Sequence, residues 1–292
     1  MVNLIKNKDM KNTRAGWIGL GNMGVPMAGQ VLNKGYSLTV YNRTLSKTEP
    51  LVAQGAKVAG TPGELIAATD IVFLMVSDDH AVASLFEGAD GLLSKELHGK
   101  VIVNMSTVSP AISIKMAAAC SAVGIEYLDA PVSGSVKQAT DGQLVIMVGG
   151  EEQAFHAAEP LLSCMGKLVM HLGASGIGNK AKLAINTLLA IYTEGLAEIV
   201  TFSRKHQINT EDLLTLLGNG ALSNVFTKIK GDALLNDNYQ AAFALKHMVK
   251  DLNLAKDEGM DTPLARTALE TFKSAAAAFG EEDVIAVIKQ LG

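Results

Sequence analysis

The sequence predicts an α/β fold in which an N-terminal doubly wound sheet is followed by an all-α C-terminal domain. Three observations predict it. Short apolar strands alternate with helical patterns from Ala15 to about Ser175, the signature of βαβ units and a parallel sheet. Several of those strands are continuously apolar, as expected when helices cover both faces. After Gly178 the strand-like runs stop and long amphipathic segments take over. The boundaries that follow are residues 1–13 as a disordered extension, 14–176 as the sheet domain, and 177–292 as a helical domain opened by a long interdomain helix.

The strand candidates, in order, are Trp17–Leu20, Leu38–Tyr41, Lys57–Ala59, Ile71–Val76, Val101–Met105, Glu126–Leu128, Leu144–Val148 and Leu168–His171. Helical segments are expected over Lys180–His206, Thr210–Leu217, Ser223–Leu235, Ala241–Glu258, Pro263–Phe279 and Glu282–Leu291. Gly176 and Gly178 read as a hinge between the two halves. With 292 residues the chain is long enough for one large or two ordinary domains. Its 48% hydrophobic and 18% charged content is that of a globular protein. A net charge of −4 without any Lys/Arg-rich block gives no reason to expect nucleic acid. No apolar run reaches the ~20 residues of a membrane span, so no membrane is expected. Cys120 and Cys164 stand far apart with no CxxC or Cys/His spacing, so neither a disulfide nor a metal is expected. The polar, lysine-containing start has no secretory apolar core. A reduced, cytoplasmic setting follows from these two readings.

The first strand runs straight into Gly19-Leu20-Gly21-Asn22-Met23-Gly24, a G-x-G-x-x-G turn that opens a helix. Each glycine has a separate task in a dinucleotide site of Rossmann type. Gly19 permits the tight turn, Gly21 lets backbone approach a pyrophosphate, and Gly24 lets helix and strand pack closely. The helix N-terminus then offers N–H groups and positive dipole to the phosphates. The second strand ends in Asn42-Arg43-Thr44-Leu45-Ser46-Lys47, where a site for NAD usually carries an acid for the ribose 2′-hydroxyl. Asn42 removes the carboxylate that would repel a 2′-phosphate, and Arg43 can stack on adenine or pair with that phosphate. Thr44 adds a hydroxyl and Lys47 a charge, so NADP(H) is expected over NAD(H).

Ligands of open α/β sheets bind outside the carboxyl ends of strands. Met75, Val76 and Ser77 end the fourth strand and would border the nicotinamide ribose. Asp78 and Asp79 read as a helix start, as does Ser109 before Pro110. Thr107, at the end of the fifth strand, is the better ligand contact. Ser133-Gly134-Ser135 presents backbone N–H groups and hydroxyls together, a receptor for a substrate carboxylate. Lys182 and Asn186 are four apart and share one helix face. Lys182 lies near the helix N-terminus, whose dipole disfavours an ammonium; such a lysine can give its proton to an alkoxide.

Taken in this order and spacing, Gly19-x-Gly21-x-x-Gly24, Asp129-Ala-Pro-Val-Ser-Gly-Ser135 and Gly178-x3-Lys182-x3-Asn186 resemble the β-hydroxyacid dehydrogenase family. The resemblance runs from Arg14 to Gly292. Asn42-Arg43-Thr44-Leu45-Ser46-Lys47 with Pro131-Val132-Ser133-Gly134-Ser135 looks most like the NADPH-dependent glyoxylate/succinic semialdehyde reductase branch, and Phe243-x2-Lys246-His247-x2-Lys250-Asp251 is a further matching stretch. The resemblance implies Lys182 as general acid/base and Asn186 as substrate holder. It places Ser133, Gly134 and Thr107 around the carboxylate and carbonyl, and Phe243 over the site from the helical domain. Lys250 would approach the cofactor and Asp251 would set the electrostatics near Lys182. It also implies a cleft between the domains as the active site, and a homodimer or homotetramer formed through helices such as the apolar Leu183–Phe202 segment. Ser135 stands where many relatives have glycine, and Thr187 where a second asparagine is often found.

The reaction expected is reduction of small carboxylate-bearing aldehydes by hydride transfer from NADPH. The same fold could instead oxidise a 3-hydroxy acid, 3-hydroxyisobutyrate for example, with NAD. A reading of another class, a dinucleotide sensor or scaffold without catalysis, is opposed by the intact Lys182/Asn186 pair. Imine reductases share the two-domain layout, but the lysine favours a hydroxyacid enzyme.

Overall fold

A computed structural model describes residues 12–94 and 97–291. Most of the expected extension at 1–13 therefore lies outside the described residues. Contacts divide the chain into two compact units, one ending at Lys182 and the other beginning at Leu183.

Among the described residues, the first unit is built on a nine-stranded sheet. Its strands are β1 (Arg14–Ile18), β2 (Ser37–Tyr41), β3 (Lys57–Val58), β4 (Ile71–Leu74), β5 (Val101–Asn104), β6 (Glu126–Asp129), β7 (Val132–Ser133), β8 (Leu144–Gly149) and β9 (Gly166–Gly173). The order β3-β2-β1-β4-β5-β6 is parallel throughout. Between β1 and β4 the winding reverses, which opens a crevice at the carboxyl ends of those strands.

Strand alternation explains why the core strands read as unbroken apolar runs. Ala15, Trp17, Ile71, Phe73, Val101 and Val103 face one core cluster, while Ile18, Val72, Leu74 and Ile102 face another. Helices α1 (Gly24–Asn33) and α7 (Glu152–Leu162) cover the first cluster; α3 (Pro62–Ala68), α4 (Asp79–Phe86) and α5 (Pro110–Ser121) cover the second. Burial on both faces leaves no polar-out residue to mark the period.

Beyond β6 the sheet departs from the expected all-parallel pattern. β8 runs antiparallel to β6 and to β7, and β9 is parallel to β8. β7, only two residues long, was not expected at all. It pairs Val132 with Ile146 and Ser133 with Val145, so Ser133 of the Ser-Gly-Ser stretch belongs to a strand.

The second unit is helical. Helix α8 (Ile177–Lys205) starts before the division at Lys182 and continues through it. It is followed by α9 (Thr210–Asn219), α10 (Val225–Leu235), α11 (Leu245–Asp257) and α12 (Pro263–Phe279). The expected last helix is a 3-10 segment, Val284–Gln290, in which Val284 to Ile288 are all buried. Ala190, Ala197 and Val200 of α8 join Leu245, Met248, Leu252, Phe272 and Ile285 in this unit's core. By length and composition alone, α8 could cross a membrane; half of its apolar window is buried within the protein.

Candidate active site

The glycine turn is built as its spacing requires. Gly19 has a φ of 96°, and a Cβ there would stand 2.1 Å from the Met75 carbonyl oxygen. A Cβ on Gly24 would stand 2.0 Å from the Gly19 oxygen. Gly21 differs, because a Cβ there would meet nothing within 4 Å. The protein's own packing does not require that glycine, and its open side leaves room for a ligand to approach the backbone. No side chain caps α1, which leaves N–H groups at its first turn for an anion. Beneath the turn, the buried Trp17 stacks on Phe73 with centroids 5.3 Å apart and donates its indole N–H to the Gly19 oxygen at 3.1 Å.

Asn42 does something the sequence did not reveal. Its Oδ1 accepts from the Leu20 N–H at 2.9 Å, and its Nδ2 donates to the Thr44 oxygen at 2.8 Å. The amide ties the end of β2 to the glycine turn. Arg43, Thr44 and Lys47 beside it are exposed and line a cavity of about 450 Å³ at the carboxyl ends of β1, β2 and β4.

The loops after β4 and β5 are fixed by hydrogen bonds around Thr107, which is half-buried. Ser106 Oγ accepts from the Val76 N–H at 2.9 Å, and the Ser106 N–H donates to Asn104 Oδ1 at 3.0 Å. The Val108 N–H donates to Asn179 Oδ1 at 3.1 Å. Asp78 caps α4 through the Ala81 N–H at 2.8 Å, and Ser109 caps α5 through the Ile112 N–H at 3.0 Å, as the sequence suggested. Asp79 additionally accepts from the Ser109 N–H at 2.9 Å.

Two expectations about the neighbouring strand ends need correction. The Ser133-Gly134-Ser135 turn does not offer all its donors, because the Ser135 N–H and hydroxyl both donate to Gln138 Oε1, at 2.8 and 2.5 Å. A capping residue of α6 (Val136–Thr140) is thus what the serine in place of glycine supplies. Half-buried Ser133 and exposed Gly134 remain. Nor is Gly176-x-Gly178 a loose hinge. Buried Asp129 accepts from the Gly176 N–H at 2.7 Å and the Asn179 N–H at 2.8 Å. A Cβ on Gly178 would stand 2.5 Å from the Met147 oxygen. Burial pushes the Asp129 carboxyl above the usual carboxylate range, and its backbone donors act in the opposite direction. Because Asp129 caps α8, its charge opposes the helix dipole that was expected to act on Lys182.

Lys182, half-buried, is one helical turn from Asn186. Asn186 is buried and donates its Nδ2 to Asp251 Oδ2 at 2.6 Å, a charge-assisted bond. Asn186 Oδ1 accepts no hydrogen bond. Lys250 Nζ stands 3.2 Å from the other oxygen of Asp251. Thr187 turns its hydroxyl back to the Leu183 oxygen at 2.8 Å, so it offers no outward polar contact of the kind an asparagine would. Phe243 is half-buried against the helical core. The two cysteines take no part: burial pushes the Cys120 thiol up to about 12, and burial raises Cys164 as well.

Residues 14–173 match the family described as the NAD binding domain of 6-phosphogluconate dehydrogenase. Residues 176–291 match that described as NAD-binding of NADP-dependent 3-hydroxyisobutyrate dehydrogenase. The chain belongs to the 3-hydroxyisobutyrate dehydrogenase-like β-hydroxyacid dehydrogenases. This β-hydroxyacid dehydrogenase is 36% identical over 279 residues to glyoxylate/succinic semialdehyde reductase 1 of Arabidopsis thaliana, covering 94% of this chain and 96% of that one. Among solved structures it is similar to 3-hydroxyisobutyrate dehydrogenase of Mycobacterium tuberculosis with L-serine (TM-score 0.86, 28% identity, 96% and 99% coverage). It is also similar to Psf3 in complex with NADP+ and 2-OPP (TM-score 0.88, 26% identity, 95% and 100% coverage). As a β-hydroxyacid dehydrogenase it is an oxidoreductase that uses a nicotinamide dinucleotide.

Of the residues expected to hold that cofactor, the cavity of this β-hydroxyacid dehydrogenase brings together Gly19, Leu20, Gly21, Asn42, Arg43, Thr44, Met75, Val76 and Ser77. Asn22, Met23, Gly24, Thr107 and Lys250 do not line it. Gly24 instead serves the packing under the turn. The sequence reading missed the opposite wall, Ala81, Ser84 and Leu85 of α4. Their spacing puts them on one helical face, and that was the available signal. It also missed Asn179, whose amide holds Val108 and, at 3.2 Å, Ser113; no pattern in the sequence marks it.

Proposed function

We propose that the protein reduces small aldehydes bearing a carboxylate, glyoxylate and succinic semialdehyde foremost, to hydroxy acids with NADPH as reductant. The observation that carries this reading is the pair on α8. Half-buried Lys182 shares a helix face with buried Asn186, whose N–H is fixed on Asp251 while its carbonyl oxygen is left as an acceptor. A buried acceptor without a partner carries a desolvation cost of about 1–3 kcal/mol unless a ligand group meets it. The hydroxyl of the hydroxy-acid product is such a group.

The glycine turn, the uncapped first turn of α1 and the exposed Arg43, Thr44 and Lys47 suit NADPH. Bound there, the cofactor supplies a hydride to the carbonyl carbon. The carbonyl π electrons move to oxygen, and Lys182 gives that oxygen its proton; solvent then reprotonates the amine. Asn186 orients the resulting hydroxyl, and Thr107, Ser133 and Gly134 hold the substrate's carboxylate end. Phe243 shields the aldehyde from water. The names of the curated relatives support this substrate class, and Arg43 with Lys47 supports the phosphorylated cofactor. Ile185, Leu188, Ile199 and Phe202 form an exposed apolar stripe along α8, and we take it as the surface through which copies of the chain associate.

The test is steady-state oxidation of NADPH and NADH against a panel of small aldehydes. NADPH-dependent turnover of glyoxylate or succinic semialdehyde is expected. A kinetic preference for NAD, with faster oxidation of 3-hydroxyisobutyrate than reduction of any aldehyde, would replace this reading with the dehydrogenase one.

A further inference from the structure

Two charged residues of the helical unit, given no role above, are buried together. Lys230 of α10 and Asp283, just before the 3-10 segment, form an ion pair at 2.6 Å with side chains only 9% and 3% exposed. Burying both charges is costly, and such pairs stabilise a fold little compared with apolar residues of the same volume. The hydrogen bonds around Asp283 point instead to a role in geometry.

Asp283 Oδ2 accepts from the Ala242 N–H at 3.0 Å and the Phe243 N–H at 3.3 Å. Its Oδ1 accepts from the Ile285 N–H at 3.1 Å as well as from Lys230. The backbone adds to this: the Asp283 N–H donates to the Tyr239 oxygen and the Val284 N–H to the Phe243 oxygen, at 2.9 and 3.0 Å. Ala244 and Asp283 form an antiparallel bridge. The segment carrying Phe243 belongs to no helix and no named strand. One carboxylate thus fixes the backbone that aims the Phe243 ring, and Lys230 fixes that carboxylate.

We propose that Lys230 and Asp283 are positioning residues for Phe243, setting where its ring stands against the aldehyde. The proposal rests on the reading that gives Phe243 a substrate-facing role. Without Lys230, Asp283 keeps its backbone donors but loses the cation that neutralises and orients it, so the Phe243 segment loosens while the cofactor site in the other unit is unaffected.

The experiment is a double-mutant cycle between Lys230→Met and Phe243→Ala in the full chain. Lys230→Met is expected to raise KM for the aldehyde about tenfold, with kcat within about twofold and KM for NADPH unchanged. Amide hydrogen exchange at Ala242 and Phe243 should accelerate in the same variant. Lys230→Gln, which keeps a donor for Asp283, should fall between it and the parent, and serves if the methionine variant folds poorly. In the Phe243→Ala background, Lys230→Met should raise KM no further. An equal rise in both backgrounds would overturn the proposal, since the pair would then act on the unit as a whole. Unchanged exchange at Ala242 and Phe243 would overturn it too. If Phe243→Ala alone leaves KM for every aldehyde unchanged, the substrate role of Phe243 fails; that failure shows in the single variant, apart from any result on Lys230.

Discussion

The sheet unit and the helical unit treat polar side chains in different ways. In the sheet unit, the polar residues near the cofactor cavity sit at strand ends and bond mostly to backbone. Asn42 holds Leu20 and Thr44, Ser106 holds Val76, and Asp129 holds Gly176 and Asn179. In the helical unit several polar side chains bond to one another: Asn186 to Asp251 and Lys230 to Asp283, all buried, and half-buried Thr271 to buried Glu194 at 2.6 Å. The first arrangement shapes loops around an open cavity. The second places charge inside a helical core, where every unmatched atom is expensive. Turns thus shape the cavity of one unit, whereas paired side chains order the core of the other.

Four sets of variants sharpen that contrast or break it. The largest effect belongs to Lys182→Ala, which should lower turnover about a hundred- to ten-thousandfold while NADPH binding, read from quenching of the sole tryptophan, stays nearly intact. Comparable turnover in the variant would remove Lys182 from the mechanism. Next, the same amide should matter differently in the two units. Asn186→Leu leaves the buried Asp251 without its donor and should cost roughly 2–4 kcal/mol in urea unfolding. Asn42→Ala, which loses two bonds to turn backbone, should cost about 1 kcal/mol. Equal losses would dissolve the distinction.

Smaller effects are expected within the sheet unit. Gly21→Ala meets no protein atom, so the melting temperature should hold while the cofactor Kd rises roughly tenfold; Gly19→Ala should lower both stability and affinity. An unchanged Kd for Gly21→Ala would deny the ligand its place over that glycine. Arg43→Ala should weaken NADPH by about tenfold and NADH little, a loss of about 1.4 kcal/mol. Equal weakening of both would mean that Arg43 stacks on adenine rather than pairing with a phosphate.

How legible each region was follows from the same contrast. The glycine turn could be read because each of its positions forbids or requires a side chain for a local reason. Strands with both faces covered could be read from their apolar runs, and the helices from their period. The direction of β8 could not, since alternation is the same whichever way a strand runs. β7 spans only two residues, too few to show alternation, and the last segment, expected as a helix, buries five consecutive residues, which no amphipathic α-helix would do. Asn42, Ser135 and Asp129 were seen as candidates or motif members, but their partners depend on turn geometry that residue type does not specify. Lys230 and Asp283 are separated by 53 positions and carry no signal of their pairing.

The bonds of Asn42 also limit how the cofactor choice of this protein could be redesigned, or could drift. The obvious exchange is Asn42→Asp, which restores the acid that NAD sites commonly carry. A carboxylate could still accept from Leu20, but it has no hydrogen to give the Thr44 oxygen and would repel it instead. The exchange therefore alters the turn on which both cofactors depend. A viable route begins at Arg43 and Thr44, whose side chains can change without disturbing that link, and leaves Asn42 in place.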